Sequence, residues 1–264
     1  MPKVKINDIS IYYEVYGAGE PLLFIAGLGS DISSWSGVVG EFAKNYQAII
    51  FDNRNCGRSD AAKKECTISL MTQDIIGLLD YLKINKTHVL GHSMGGYIVQ
   101  DMAVSYPGRI DKLVLESTAA VSSQRNNLLF NDFYEQLKNE GHTPNWFKKW
   151  ADWLFSAQLL KDSAFLERFI EESMKYPYLQ SALGLKMQIE AIAAFDLQSK
   201  TGAIKADTLV IAGRNDLLIT PYESKSLADN IKKSTFKLLD EVAHCIHIEN
   251  PKLFTDTVLD FLNN

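Results

Sequence analysis

The chain has 264 residues, 46% hydrophobic and 22% charged, which fits one large soluble globular domain or one domain carrying an insertion. Its net charge of −5 argues against nonspecific nucleic-acid binding, which draws on clustered Lys and Arg. No apolar run is long enough for a secretory signal or a bilayer span, and Cys56, Cys66 and Cys245 form neither a disulfide framework nor a zinc spacing, so the chain reads as cytoplasmic, without membrane insertion.

In chain order, "VKINDISIYYEV" predicts a hairpin turning at Asn7-Asp8, with antiparallel strands at one sheet edge. Six apolar runs follow: "PLLFIAG", "YQAIIFD", "THVLGH", "KLVLES", "DTLVIAG" and "TFKLLDE". They are continuous rather than alternating, which predicts strands buried on both faces of a parallel sheet. Helical segments separate most of them. "SLMTQDIIGLLDYLK" puts Met71, Ile75, Leu78, Leu79 and Leu82 on one face. "TPYESKSLADNI" opens with a capping box, Thr220 as N-cap, Pro221 at N1 and Glu223 at N3. "NPKLFTDTVLDFL" opens with Asn250 as N-cap and turns Leu253, Phe254, Val258, Leu259 and Leu262 to the core. Alternating strand and helix predicts an α/β fold with a mostly parallel sheet flanked by helices.

The pattern breaks after the sixth strand. Residues 119–200 hold helical runs and no convincing buried strand, which predicts an all-helical lid inserted into a core of residues 1–118 and 201–264. Trp146, Trp150 and Trp153 fall on one helical stripe there. The stripe can pack the lid onto the body or line a substrate pocket, and both readings stand at this level.

"VLGHSMGG" carries the strongest chemical signal. A buried strand runs into Gly91-His92-Ser93-Met94-Gly95, and a helix-like run follows: G-x-S-x-G in strand–turn–helix context. So sharp a turn leaves no room for side chains two positions either side, so both places are Gly. Ser93 is left proud of the sheet edge, and the Met94 N–H points at the reacting oxygen from a helix N-terminus.

These features identify the chain as resembling the α/β-hydrolase superfamily, in its capped esterase, lactonase and C–C hydrolase branch. "FIAGLGSDISSW" resembles H-G-x-G followed by tryptophan, with Ala26 for the histidine. "FDNRNCGRSD" resembles D-x-R-G-x-G-x-S, with Asn55 for a glycine. "GRNDLLITP" resembles the loop carrying the acid, and "AHCIHIENP" resembles G-H-x-x-x-x-E-x-P, with Ala243 for glycine.

The resemblance implies a serine hydrolase with the chain order Ser, acid, His. Asp216 falls where the family places its acid; a capping role near Thr220 is its alternative, and Glu116 after the sixth strand is the backup acid. His244 fits the spacing to Glu249 and Pro251, and His247 does not. A metal pair would call for i, i+4 spacing on a helix or further ligands nearby, and His244 and His247 are three apart in a loop. Cys245 reads as a small buried residue. The resemblance gives the oxyanion donors as the Leu28 and Met94 amides, and makes Trp35 and Arg54 structural. It implies cleavage of a small-molecule carboxylic ester or lactone through an acyl-enzyme, with no metal or organic cofactor. C–C bond hydrolysis, thioester hydrolysis and a slow-turnover lactone receptor share these motifs. His92 before the serine, where C–C hydrolases commonly carry Asn, favours the esterase or lactonase. The oligomeric state is left open by the pattern.

Overall fold

In the computed structural model, residues 3–61 and 66–264 are described. The N-terminal hairpin forms as its turn residues dictate: β1 (Lys3–Ile6) pairs antiparallel with β2 (Ile9–Tyr16), Ile6 facing Ile9 across Asn7-Asp8. Asn7 has φ +52°, the left-handed conformation a two-residue loop demands and Asn tolerates. β2 pairs antiparallel with β4 (Tyr46–Phe51). β3 (Glu20–Ile25), β4, β5 (Thr87–His92), β6 (Ile110–Glu116), β7 (Asp207–Gly213) and β8 (Ser234–Leu239) are parallel, in an eight-stranded sheet ordered β1-β2-β4-β3-β5-β6-β7-β8.

All six apolar runs are therefore strands, but not equally buried. β5, at the centre, is buried at every residue. β8 is only half-buried along most of its length, because it lies at an edge with no strand beyond it. Continuous burial, expected of all six runs, fails there.

Helices cover both faces. α1 (Val39–Phe42), α2 (Ile68–Tyr81) and α3 (Met94–Ser105) precede a helical insertion, α4 (Gln124–Glu140), α5 (Pro144–Leu154), α6 (Ser163–Lys175) and α7 (Ala182–Ala193). α8 (Pro221–Asn230), α9 (Ile246–Glu249) and α10 (Pro251–Asn263) complete the chain. Alternate strand residues feed opposite cores, as a pleated sheet requires. Leu23 and Ile25 pack with Met71, Ile75, Leu78 and Leu79 of α2. Leu22 and Phe24 pack with Trp35, Phe42, Phe254, Val258 and Leu262. Leu82 caps α2 and is half-buried, as are Leu253 and Leu259 of α10, so those stripes are narrower than expected.

The caps match the sequence. Thr220 and Glu223 form a reciprocal capping box at α8, and the Asn250 side chain accepts from the Leu253 N–H at α10. The insertion lies between β6 and β7, and a bridge between Val121 and Asp196 closes its base. Among the described residues, no helix is long and apolar enough to cross a membrane.

Candidate active site

The turn from β5 into α3 holds Ser93 at φ +53°, ψ −116°, outside the regions an L-residue prefers. The flanking glycines are sterically required. A Cβ on Gly91 would come within 2.4 Å of the Gly95 carbonyl oxygen, and one on Gly95 within 2.1 Å of the Ile25 carbonyl oxygen. The Ser93 N–H donates to the Glu116 carbonyl at 2.9 Å, and the Ser93 carbonyl accepts from the Thr118 hydroxyl at 2.9 Å. Both backbone groups are thus tied to the β6 end, while the residue itself lines a cavity at the carboxyl ends of the strands.

The loop after β3 closes over this turn. A Cβ on Gly27 would lie 3.0 Å from His92 Nδ1 and 3.2 Å from Ser93 Cβ, tighter than side chains usually sit, so glycine eases that approach. The next residue is Leu28. Gly29, at φ +70°, donates its N–H to Gln188 Oε1 at 3.1 Å. Gln188 is fully buried on α7; its Oε1 also accepts from Gln180 Nε2 at 2.9 Å, and its Nε2 donates to the Arg54 carbonyl at 3.0 Å. The Tyr176 hydroxyl donates to Asp31. The insertion therefore grips residues 29–31. Among the described residues, neither the Leu28 nor the Met94 amide has a protein acceptor; Leu28 lines the cavity, and Met94 is fully buried.

Asp216 lies between β7 and α8, and His244 in the loop after β8. Both are buried, and His244 Nδ1 donates to Asp216 Oδ2 at 2.8 Å. Asp216 Oδ1 accepts the Leu218 and Ile219 N–H groups at 2.8 and 2.9 Å, which fixes the carboxylate plane. The cap of α8 itself is Thr220, so Asp216 is not spent on that task. The His244 loop is held to the insertion: the His244 N–H donates to the Leu154 carbonyl at 3.1 Å. Glu249 accepts from the Ala243 N–H at 3.0 Å and the Ser156 N–H at 3.3 Å.

Glu116 and His247 meet each other. His247 Nδ1 is 2.9 Å from Glu116 Oε1, and the His247 N–H donates to the same oxygen at 3.1 Å. His247 packs against Trp35, ring centroids 4.4 Å apart and planes tilted by 33°. The two histidines of "AHCIHIENP" thus use different carboxylates and do not form a pair with one another. Cys245 is buried, and burial, with Glu116, Asp216 and Glu249 nearby, pushes its thiol well above the usual cysteine range.

His92 joins the two histidine pairs. Its Nε2 donates to the His244 carbonyl at 3.1 Å, so Nε2 carries the proton. Burial first, then the neighbouring His247 and His244, hold its pKa well below the usual histidine value. The folded protein therefore binds fewer protons here than the unfolded chain once pH falls below about 6.5. Stability contributed by neutral His92 is complete above that value and is lost as pH drops beneath it. His92→Asn should make the fall in Tm between pH 7.5 and 5.5 shallower than in the wild type. Equal slopes in the two proteins would refute this role for His92.

The cavity has a volume of about 440 Å³, with Leu28, Ser93 and His244 in its wall. Trp146 and Trp150 also line it; Trp153 does not, and is half-buried against the core. With about 3.6 residues per turn, Trp146, Phe147, Trp150 and Leu154 share the cavity face, while Trp153 sits at its edge. Two of the three tryptophans of the expected stripe therefore face the cavity, and the face extends to Phe147 and Leu154. Phe130, Phe155 and Phe169 complete an aromatic wall that periodicity did not single out. Gln188 was also missed, although a lone amide inside the apolar run "LGLKMQIEAIAA" is a signal that a polar group there has a buried partner.

The family model described as alpha/beta hydrolase fold matches residues 20–251. RutD of Agrobacterium fabrum, a protein named for carbamate hydrolysis, is 28% identical over 258 residues, 96% of this chain and 98% of the relative. 3-Oxoadipate enol-lactonase 2 of Acinetobacter baylyi is 28% identical over 255 residues, 96% of this chain and 92% of the relative. The enol-lactonase structure from Burkholderia xenovorans LB400 superposes with a TM-score of 0.88 at 28% identity, covering 100% of both chains.

Proposed function

The chain belongs to the alpha/beta hydrolase family, and from that premise we propose that it cleaves a small carboxylic ester or lactone through an acyl-enzyme. It is an enzyme of the esterase and lactonase type, as its relatives are. The observation that carries the mechanism is the strained Ser93 turn opening on the same cavity as a buried His244 whose Nδ1 is bonded to Asp216 at 2.8 Å.

A serine hydroxyl is a weak nucleophile at neutral pH and needs a base. His244 Nδ1 is committed to Asp216, which leaves Nε2 as the acceptor for the Ser93 proton. Ser93 Oγ adds to the substrate carbonyl carbon. The negative charge gathers on the carbonyl oxygen, where the Leu28 and Met94 amides serve as donors. Asp216 stabilises the imidazolium that forms. The tetrahedral intermediate collapses, and His244 returns the proton to the leaving alcohol. Water, deprotonated by His244, then attacks the acyl-enzyme and frees Ser93. Residues 119–200 act as the lid that walls the cavity and excludes bulk water.

Gln188 supports this reading from the lid. With its Oε1 on the Gly29 amide, it fixes the loop that presents Leu28. Gln188→Leu should lower kcat by about tenfold or more with a smaller change in KM, because a displaced oxyanion donor acts on the transition state. A drop in Tm with kcat intact would make Gln188 a packing residue only.

The test of function is a panel of p-nitrophenyl esters of increasing acyl length, with lactones and carbamates alongside. Multiple rapid turnovers on at least one class are expected. A single slow turnover would point to a lactone receptor, and no attack on any carbonyl substrate would overturn the reading.

A further inference from the structure

We propose that Glu249 is a positioning residue for the base: its carboxylate ties the His244 loop to the end of α5, so that the insertion forms part of the mounting of His244. This rests on the ester-hydrolase reading above and adds a residue to its machinery.

Both backbone groups of His244 are engaged. Its N–H donates to the Leu154 carbonyl at 3.1 Å, and its carbonyl accepts from His92 Nε2 at 3.1 Å. The Cys245 N–H donates to the same Leu154 carbonyl at 3.2 Å. Leu154 is the last residue of α5. The base therefore hangs from the insertion on one side and from the serine turn on the other. One carbonyl cannot hold this alone, because its direction depends on where the chain goes next. Phe155 leaves the helix extended, at φ −120° and ψ 154°. The Ser156 N–H then donates to both Glu249 oxygens at 3.3 Å, and Glu249 Oε2 also accepts the Ala243 N–H at 3.0 Å.

The carboxylate thus closes a ring of backbone bonds around the base loop, and buried Phe155, Ala151 and Cys245 pack in one apolar cluster beside it. Hydrogen bonds to a carboxylate are stronger than neutral ones, and without it the buried Ser156 N–H would lose its acceptor. A role in closing its own loop would need only Ala243. Ser156 lies 93 residues away in sequence, so the second bond ties two parts of the fold together. The kinetic consequence is specific. His244 serves both half-reactions, so a loosened base slows acylation and deacylation together. KM in an acyl-enzyme pathway depends on the ratio of those steps and stays nearly constant while kcat falls. A residue that only propped the cavity wall would instead raise KM, and more for long acyl groups than for acetate.

Glu249→Gln and Glu249→Leu, assayed on p-nitrophenyl acetate, butyrate and octanoate with Tm measured alongside, separate these cases. Glu249→Leu removes both acceptor oxygens and should lower kcat by about 10- to 100-fold, the cost of a base misplaced by up to about 1 Å. Glu249→Gln keeps the shape and one acceptor oxygen, and should lower kcat by about three- to tenfold. In both, KM should stay within about twofold, and the octanoate-to-acetate ratio of kcat/KM should match the wild type. The near-isosteric Gln variant decides the matter by itself should the Leu variant fail to fold. A folded Glu249→Gln protein with wild-type kcat and only a lower Tm would overturn the assignment, leaving a structural tie. So would a loss carried by KM, or one confined to the octanoate. If the wild type turns over these esters and the Gln variant matches it, only the positioning role fails. If the wild type cleaves none of them, the hydrolase reading beneath it fails as well.

Discussion

Ser93→Ala should lower kcat for ester hydrolysis by about 10⁴–10⁶ and leave the fold intact. The fold should survive because the structural bonds of Ser93 run through its backbone: its N–H to the Glu116 carbonyl and its carbonyl from Gly96 and Thr118. Alanine keeps all three, and a single Cβ meets the same φ strain that serine already bears. What disappears is the oxygen proposed to form the bond. Without it, the remaining amides and base can only assist direct attack by water, which accounts for the residual rate. Circular dichroism and Tm should match the wild type. Near-normal turnover in the variant would remove Ser93 as the nucleophile.

His244→Ala and His247→Ala should fail in opposite ways. His244→Ala removes the proposed base of both half-reactions, so its kcat should fall nearly as far as that of Ser93→Ala, about 10⁴-fold or more. Combining the two changes should be no worse than either, because the groups act as one unit. Asp216→Asn should cost about 10⁴-fold by presenting the wrong histidine tautomer. His247→Ala should keep kcat within about tenfold and instead lose stability, on the order of 2–4 kcal/mol. It strips the buried Glu116 carboxylate of its Nδ1 donor and opens a gap beneath Trp35. His92, Glu116 and His247 also bring metal-ligand atoms within 4.8 Å of one another, so EDTA belongs in the same experiment. Activity should be insensitive to the chelator. Loss with EDTA and recovery with zinc would restore a metal to this stretch.

The serine turn was legible because sterics write it directly: only glycine fits at 91 and 95, and a strand and helix must flank them. Asp216 and His244 were legible through family spacing, since each falls in the loop after a strand. The partner of Glu116 was not. Glu116 lies 131 residues from His247, and their meeting depends on how α9 settles against the end of β6. No local pattern records that. The cavity face of α5 was legible only in part, Trp146 and Trp150 lining it and Trp153 not, for a related reason: tryptophans mark an apolar stripe, but its phase against the cavity is set by packing of the whole insertion. The half-exposed β8 shows the same limit, because an edge position is a property of sheet order.

The most direct measurement is acid quenching of the wild-type enzyme during turnover of a slowly deacylated p-nitrophenyl ester, followed by peptide mass mapping. One acyl group should appear, on Ser93, and accumulate at the rate of the p-nitrophenol burst. The Ser93→Ala protein should carry none. An acyl group on Cys245 or another side chain, or a burst with no covalent adduct, would contradict nucleophilic catalysis by Ser93.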